Sequence, residues 1–210
     1  MSTTTLSHIH RFIPASARNL PPLLLLHGTG GDENDLLDLG TSLLPGAARL
    51  SPRGQVLENG MPRFFRRMAE GVFDEADVVA RAEALAAFIG EAQAAYGLAK
   101  PVAVGFSNGA NIAAALLYRH PEVLAGAVLL RAMQPLSAPP AQPVPATPVL
   151  ILSGAMDPIV PASNAAGLAG ALEKAGAAVT HHVLPAGHNL TQHDLTLARD
   201  WLQLQARTST

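Results

Sequence analysis

The stretch Pro101-Val102-Ala103-Val104-Gly105-Phe106-Ser107-Asn108-Gly109-Ala110-Asn111 decides the reading of the chain. Three consecutive apolar residues lead into Gly-x-Ser-x-Gly, and a run of helical character follows over residues 108–119. An apolar run this short, with no polar position in it, suits a strand of a parallel sheet covered on both faces. Gly105 and Gly109 lie two residues to either side of Ser107. A side chain at either place would collide with strand or helix in a turn this sharp. Such a turn thrusts the Ser107 hydroxyl out at the carboxyl end of the strand. It also sets the serine at a helix N-terminus, where free N–H groups favour negative charge. The stretch therefore reads as strand, nucleophile, helix.

Outward from it, the same alternation recurs. Short apolar runs at 23–26, 127–130 and 149–152 read as further buried strands, with weaker ones ending near Leu50 and over 179–184. Residues 8–13 read as an antiparallel edge strand. Helical stretches at 36–44, 74–96, 164–175 and 191–206 fall between the strands or after the last one. The final helix carries Leu190, Leu197, Ala198, Trp201 and Leu204 on one stripe, and its start, Thr191-x-x-Asp194, has a capping-box pattern. Residues 134–148 hold six prolines and read as an extended surface connection. Strands alternating with helices predict an α/β protein with a doubly wound, mostly parallel sheet and helices on both faces. No composition shift divides the 210 residues, so residues 1–210 are expected to form a single domain. They leave no long insertion for a separate lid domain.

Composition narrows the function classes. A net charge of −2 offers no basic footprint for nucleic acid or an anionic membrane. With no cysteine there is no disulfide, thiolate nucleophile or cysteine-held metal. No apolar run approaches the ~20 residues of a membrane span, and the first residues lack the basic and apolar regions of a signal peptide. A cytoplasmic protein is expected, without stable membrane insertion; monomer and homodimer are both open. The Gly-rich loop after the first buried strand, His27-Gly28-Thr29-Gly30-Gly31-Asp32, lacks the G-x-G-x-x-G and Walker spacings, which argues against a nucleotide. No metal is expected, because the only close His pair of ligand spacing, His8 and His10, lies at a terminus read as exposed. No cofactor is needed.

A serine hydroxyl needs a base, and the base needs an orienting acid. Asp157, in the loop after the strand at 149–152, is the one carboxylate between Glu122 and Glu173. His188 follows the strand at 179–184 and precedes the last helix. Of the eight histidines it alone has both the order and the loop that a base requires. The expected catalytic residues are thus Ser107, Asp157 and His188. The anion hole should use the N–H of Asn108, after the nucleophile, and of Thr29 in the Gly-rich loop; His27 reads as a structural loop histidine. For the substrate pocket, residues 58–72 form the main spare segment. Phe64 or Phe65 is expected to line it, with Met133 opposite, giving a short, apolar, open pocket.

These residues resemble the α/β-hydrolase superfamily, and more narrowly the phospholipase/carboxylesterase family that includes acyl-protein thioesterases. The narrower likeness rests on His27-Gly28-Thr29-Gly30-Gly31, Ser51-Pro52-Arg53-Gly54 and Gly105-Phe106-Ser107-Asn108-Gly109-Ala110-Asn111. The stretch Glu58-Asn59-Gly60-Met61-Pro62-Arg63-Phe64-Phe65-Arg66-Arg67 is similar to one in the small carboxylesterases linked to hydroquinone resistance. The resemblance spans nearly the whole chain and implies a minimal α/β-hydrolase fold with the same triad and anion hole. Asn108 departs from the glutamine usual in acyl-protein thioesterases, and the cysteine nucleophile of dienelactone hydrolases is missing. The function expected is hydrolysis of small or short-chain carboxylic esters, with a small-molecule ester as the partner. A thioesterase or lysophospholipase-type acyl hydrolase is the alternative within enzymes. An inactive scaffold that binds a small molecule is the alternative outside them.

Overall fold

Fully apolar strands impose a covered sheet, and the computed structural model, which describes residues 6–138, 143–144 and 146–208, has one at its centre. In chain order its first elements are β1 (His10–Ile13), β2 (Leu23–Leu26), α1 (Leu37–Leu43) and β3 (Arg49–Pro52). Two small hairpins follow, β4 (Val56–Glu58) with β5 (Met61–Arg63), then β6 (Arg67–Ala69) with β7 (Val72–Phe73). The rest alternates except that β9 is followed by β10: α2 (Glu75–Tyr96), β8 (Val102–Phe106), α3 (Asn108–Arg119), β9 (Gly126–Leu130), β10 (Pro148–Gly154), α4 (Ala162–Lys174), β11 (Ala178–Leu184) and α5 (Gln192–Thr208).

The central sheet has seven strands in the order β1-β3-β2-β8-β9-β10-β11. All neighbours are parallel except β1, which pairs antiparallel with β3, His10 facing Pro52 and Ile13 facing Arg49. Side chains alternate between faces along each strand, so the central strands β2, β8, β9 and β10 each feed two cores. Leu24, Leu26, Ala103, Leu129 and Ile151 pack with α2, α3 and α4, whereas Leu23, Leu25, Val104, Val128 and Leu152 pack with α1 and α5. All four residues of β2 are fully buried, as the run of leucines requires. Helices therefore lie on both faces, as the sequence implies.

The spare segment at 58–72 is not without secondary structure, since it contributes to both hairpins. Asn59 and Gly60 turn the first hairpin with φ of 51° and 80°, the left-handed pair of a type I′ turn. The Pro-rich stretch at 134–148 is not purely a surface connection either. Positions 139–142 and 145 lie outside the described residues, but Leu136 and Val144 are buried in the core. Val144 N–H donates to Ala175 O at 2.8 Å, which ties the stretch to the end of α4.

Topology places the candidate site. From β2 the chain runs to β3 on one side and later to β8 on the other, so the loops after β2 and β8 diverge at the carboxyl edge. In a doubly wound sheet that switch point is where a crevice opens.

Candidate active site

Ser107 occupies the turn between β8 and α3 with φ 52° and ψ −115°, a conformation that costs a non-glycine residue on the order of 1–3 kcal/mol. The surroundings enforce it. Ser107 N–H donates to Leu130 O at 2.9 Å, and a Cβ at Gly109 would overlap the Leu26 carbonyl. A Cβ at Gly105 would meet Ala110 Cα at 2.7 Å. The strand, the helix and β2 are thus in backbone contact around the serine. Although Ser107 stands at the helix N-cap, its hydroxyl caps nothing. It faces His188 instead, with Oγ 3.0 Å from Nε2.

His188 Nδ1 lies 2.8 Å from Asp157 Oδ2. The other carboxylate oxygen, Oδ1, accepts from the N–H groups of Ile159 at 2.8 Å and Val160 at 3.0 Å. Burial works to raise the Asp157 pKa, but these two N–H groups and the imidazole outweigh it and hold the carboxyl below its usual value. An ionised Asp157 favours the tautomer with the proton on Nδ1, leaving Nε2 as an acceptor toward the serine. The two loops meet because Gly154 lacks a side chain: a Cβ there would lie 2.4 Å from Ala186 O, which the Met156 N–H reaches at 3.0 Å. Phe106 packs against the His188 ring, centroids 5.3 Å apart. The three residues singled out from the sequence are therefore in one hydrogen-bonded line.

Asn108 and Thr29 both border the cleft beside Ser107. Asn108 N–H opens α3, so it has no intrahelical acceptor. Its side-chain Oδ1 accepts from Phe64 N–H at 2.7 Å, and Thr29 Oγ1 accepts from Arg63 Nη1 at 2.8 Å. The Gly-rich loop is braced from below: His27 Nε2 accepts from Gly54 N–H at 3.0 Å, and its Nδ1 lies 2.7 Å from Gly28 O. Burial lowers the His27 pKa, consistent with a neutral ring in that bracing role.

The cleft itself is small, about 40 Å³, with Phe73, Met133, Ile159 and Val160 as its apolar wall and the buried Arg63, with Arg67 and Glu70, as its charged lining. Met133 stands where the sequence put it, fixed by a bond from its N–H to Asn111 Oδ1 at 2.7 Å. Phe64 and Phe65 do not line the cleft. Both rings are buried, Phe64 against His27 (centroids 4.7 Å apart) and Phe65 edge-on to Phe73 at 5.0 Å. The two residues follow the end of β5, and core closes around both. Phe73, missed in the sequence, takes the position expected of one of them. Nor is His8 exposed: it is buried against Phe88, and no cluster of metal-ligating residues occurs among the described residues. A larger concavity, about 530 Å³, opens at the opposite end of the strands around Val102, Pro148 and Trp201, but no titratable side chain among the described residues lines it.

Comparison with known proteins identifies the family. The phospholipase/carboxylesterase family model matches residues 11–206. The chain is 46% identical over 181 residues to the Bacillus subtilis (strain 168) protein MhqD, covering 85% of this chain and 90% of that one. Among solved structures, the Bacillus cereus carboxylesterase is 42% identical with a TM-score of 0.91, covering 97% of this chain and 96% of that one. A carboxylesterase from Mesorhizobium loti is 32% identical with a TM-score of 0.89, covering 95% and 96%. No described helix is long and apolar enough to cross a membrane. With a serine turn, a carboxylate-oriented histidine and near-complete coverage by these relatives, the chain belongs to the phospholipase/carboxylesterase family of α/β hydrolases.

Proposed function

We propose that the protein hydrolyses carboxylic esters of small or short-chain acids through an acyl-enzyme on Ser107. The observation that carries this reading is the unbroken line from Ser107 Oγ to His188 (3.0 Å) to Asp157 (2.8 Å) at the edge of a cleft. Ser107 Oγ attacks the carbonyl carbon while His188 Nε2 takes the hydroxyl proton. Asp157 stabilises the imidazolium so formed. The carbonyl oxygen becomes an oxyanion, held by the N–H groups of Asn108 and Thr29. Collapse of this intermediate breaks the bond to the alcohol, which leaves with the proton from His188. Water then repeats the sequence on the acyl-serine, with His188 again as base, and releases the acid.

Substrate length follows from space. The small space beside Ser107, about 40 Å³, favours a short acyl group over an extended fatty chain. The apolar wall of Phe73, Met133, Ile159 and Val160 favours a short aliphatic acyl group, and the open rim leaves room for a larger alcohol. The experiment is a screen of p-nitrophenyl esters of graded acyl length beside matched thioesters, with labelling by a fluorophosphonate. The expected result is an adduct on the Ser107 peptide and kcat/KM highest for the shortest acyl groups. Absence of the adduct would favour a non-catalytic binding scaffold, and a preference for the thioesters would move the protein to the thioesterases.

A further inference from the structure

Arg131, the residue after β9, has no part in the reaction as described, yet its guanidinium is completely buried against the loop that carries His188. All five of its N–H groups are used. Nη1 and Nη2 form a bidentate pair with Asp194, 2.7 Å to Oδ1 and 2.9 Å to Oδ2. Nη1 also donates to Leu152 O at 3.2 Å. Nε donates to Gly187 O at 2.8 Å, and Nη2 to Asn189 O at 3.1 Å. Gly187 and Asn189 are the two residues flanking His188. One planar fork therefore grips the backbone on both sides of the histidine and ties it to the first turn of α5.

The main chain at this point makes the other two connections. Arg131 N–H donates to Leu152 O at 2.9 Å, on the strand that leads to Asp157, and Leu130 O accepts from Ser107 N–H at 2.9 Å. Arg131 has φ of 57°, a left-handed conformation that an arginine adopts only where its surroundings over-determine it. Asp194 is equally fixed: it is fully buried and accepts from Thr191 N–H at 2.7 Å and Thr191 Oγ1 at 2.8 Å. Burial alone would raise its pKa, but the bonds from Arg131 and Thr191 hold the carboxyl below its usual value, so the pair is ionic. A lysine cannot replace this fork, because an ammonium is a single point charge and lacks the planar set of five donors.

We propose that Arg131, anchored by Asp194, is a positioning residue for the hydrolase reaction: it fixes the loop around His188 so that Nε2 meets Ser107 Oγ. This rests on the reading of His188 as the base. A pair that serves only stability would have the same bonds, so the test must separate the two. Arg131→Lys and Asp194→Asn are made in the wild-type chain and again in a His188→Ala background. Their kcat and KM on a short-chain p-nitrophenyl ester are measured with Tm. In the wild-type background each folded variant is expected to lose on the order of 10²-fold in kcat, the scale of a 1 Å misplacement, with KM little changed. In the His188→Ala background the same substitutions should cost less than about threefold, because the group they position is already gone.

Equal losses in both backgrounds, or a folded variant with wild-type kcat, would overturn the proposal. So would failure of both variants to fold, since the pair would then be a folding determinant. The underlying reading fails separately: it falls if His188→Ala itself retains activity, whereas an inactive His188→Ala with a silent Arg131→Lys removes only the positioning role.

Discussion

Ser107 pays no helix-capping bond and sits in strained backbone, and both facts serve its reactivity. A hydroxyl committed to a backbone N–H would be turned away from His188, whereas here it lies 3.0 Å from Nε2. Because nucleophile and base act as one unit, Ser107→Ala and His188→Ala should each lower kcat by on the order of 10⁴–10⁶, and the double variant should be little worse. Losses that multiply in the double variant would mean that the two side chains work independently. Gly109 is a second residue-scale test. Its missing Cβ lets β2 approach α3, so Gly109→Ala should fail to reach the native fold or lose most activity, as read by circular dichroism and ester turnover. A folded Gly109→Ala enzyme of wild-type kcat would show that the close approach is dispensable. These residues were legible in the sequence because their constraints are local. A glycine two places from a serine, or a loop histidine just past a strand, carries its reason within a few positions. Arg131 was not legible, since its partner Asp194 is 63 positions away and its bonds to Gly187, Asn189 and Leu152 are all to main-chain carbonyls. No side-chain pattern announces a carbonyl.

At the scale of elements, strands and helices were readable from runs and periods, while the segment between β3 and α2 was not. Its strands have only two or three residues, too short for alternation to register. The one clear signal was Asn59-Gly60, a dipeptide suited to a type I′ hairpin turn, and it marks the first hairpin. The consequence is functional. The two hairpins lay Arg63 against Thr29, Phe64 N–H against Asn108 and Phe73 along the cleft, so they brace the expected anion hole and supply one wall. Phe64 and Phe65 belong to the core beneath. Phe65→Ala should therefore cost about 3–5 kcal/mol of stability without shifting the preferred acyl length. Met133→Ala should open the cleft and move the optimum to longer chains, with about 1–3 kcal/mol in kcat/KM for each methylene newly accommodated. Denaturant midpoints and an acyl-length series on the two variants check both halves. A length profile unchanged in Met133→Ala would take that side chain out of the acyl pocket.

For the whole molecule, the same sheet that gathers the site also divides the interior into two cores, and His8 and His27 are buried. His8 is the clearest case. It packs on Phe88 with ring centroids 4.7 Å apart, and burial lowers its pKa from 6.5 to about 4, opposed by Glu91 and assisted by Arg81 and His10. His27 and His181 are likewise lowered by burial. The sign follows from proton binding. Near pH 7 these rings are neutral in both states, but between 6.5 and about 4 the unfolded chain takes up a proton that folded His8 refuses, so stability falls as pH falls. Each pKa unit is worth about 1.4 kcal/mol, so His8 alone should remove about 2 kcal/mol between pH 6.5 and pH 5. Asp157 and Asp194 act in a separate window. Their carboxyls are held below the usual value, so their contribution is present at these pH values and is lost only in stronger acid. The measurement is urea unfolding at pH 7 and pH 5. Wild type should lose stability between the two, and His8→Gln, whatever its stability at pH 7, should lose about 2 kcal/mol less across that interval. If the loss is the same in both proteins, His8 is not the group that couples protonation to the fold, and the remaining candidates are His27 and His181.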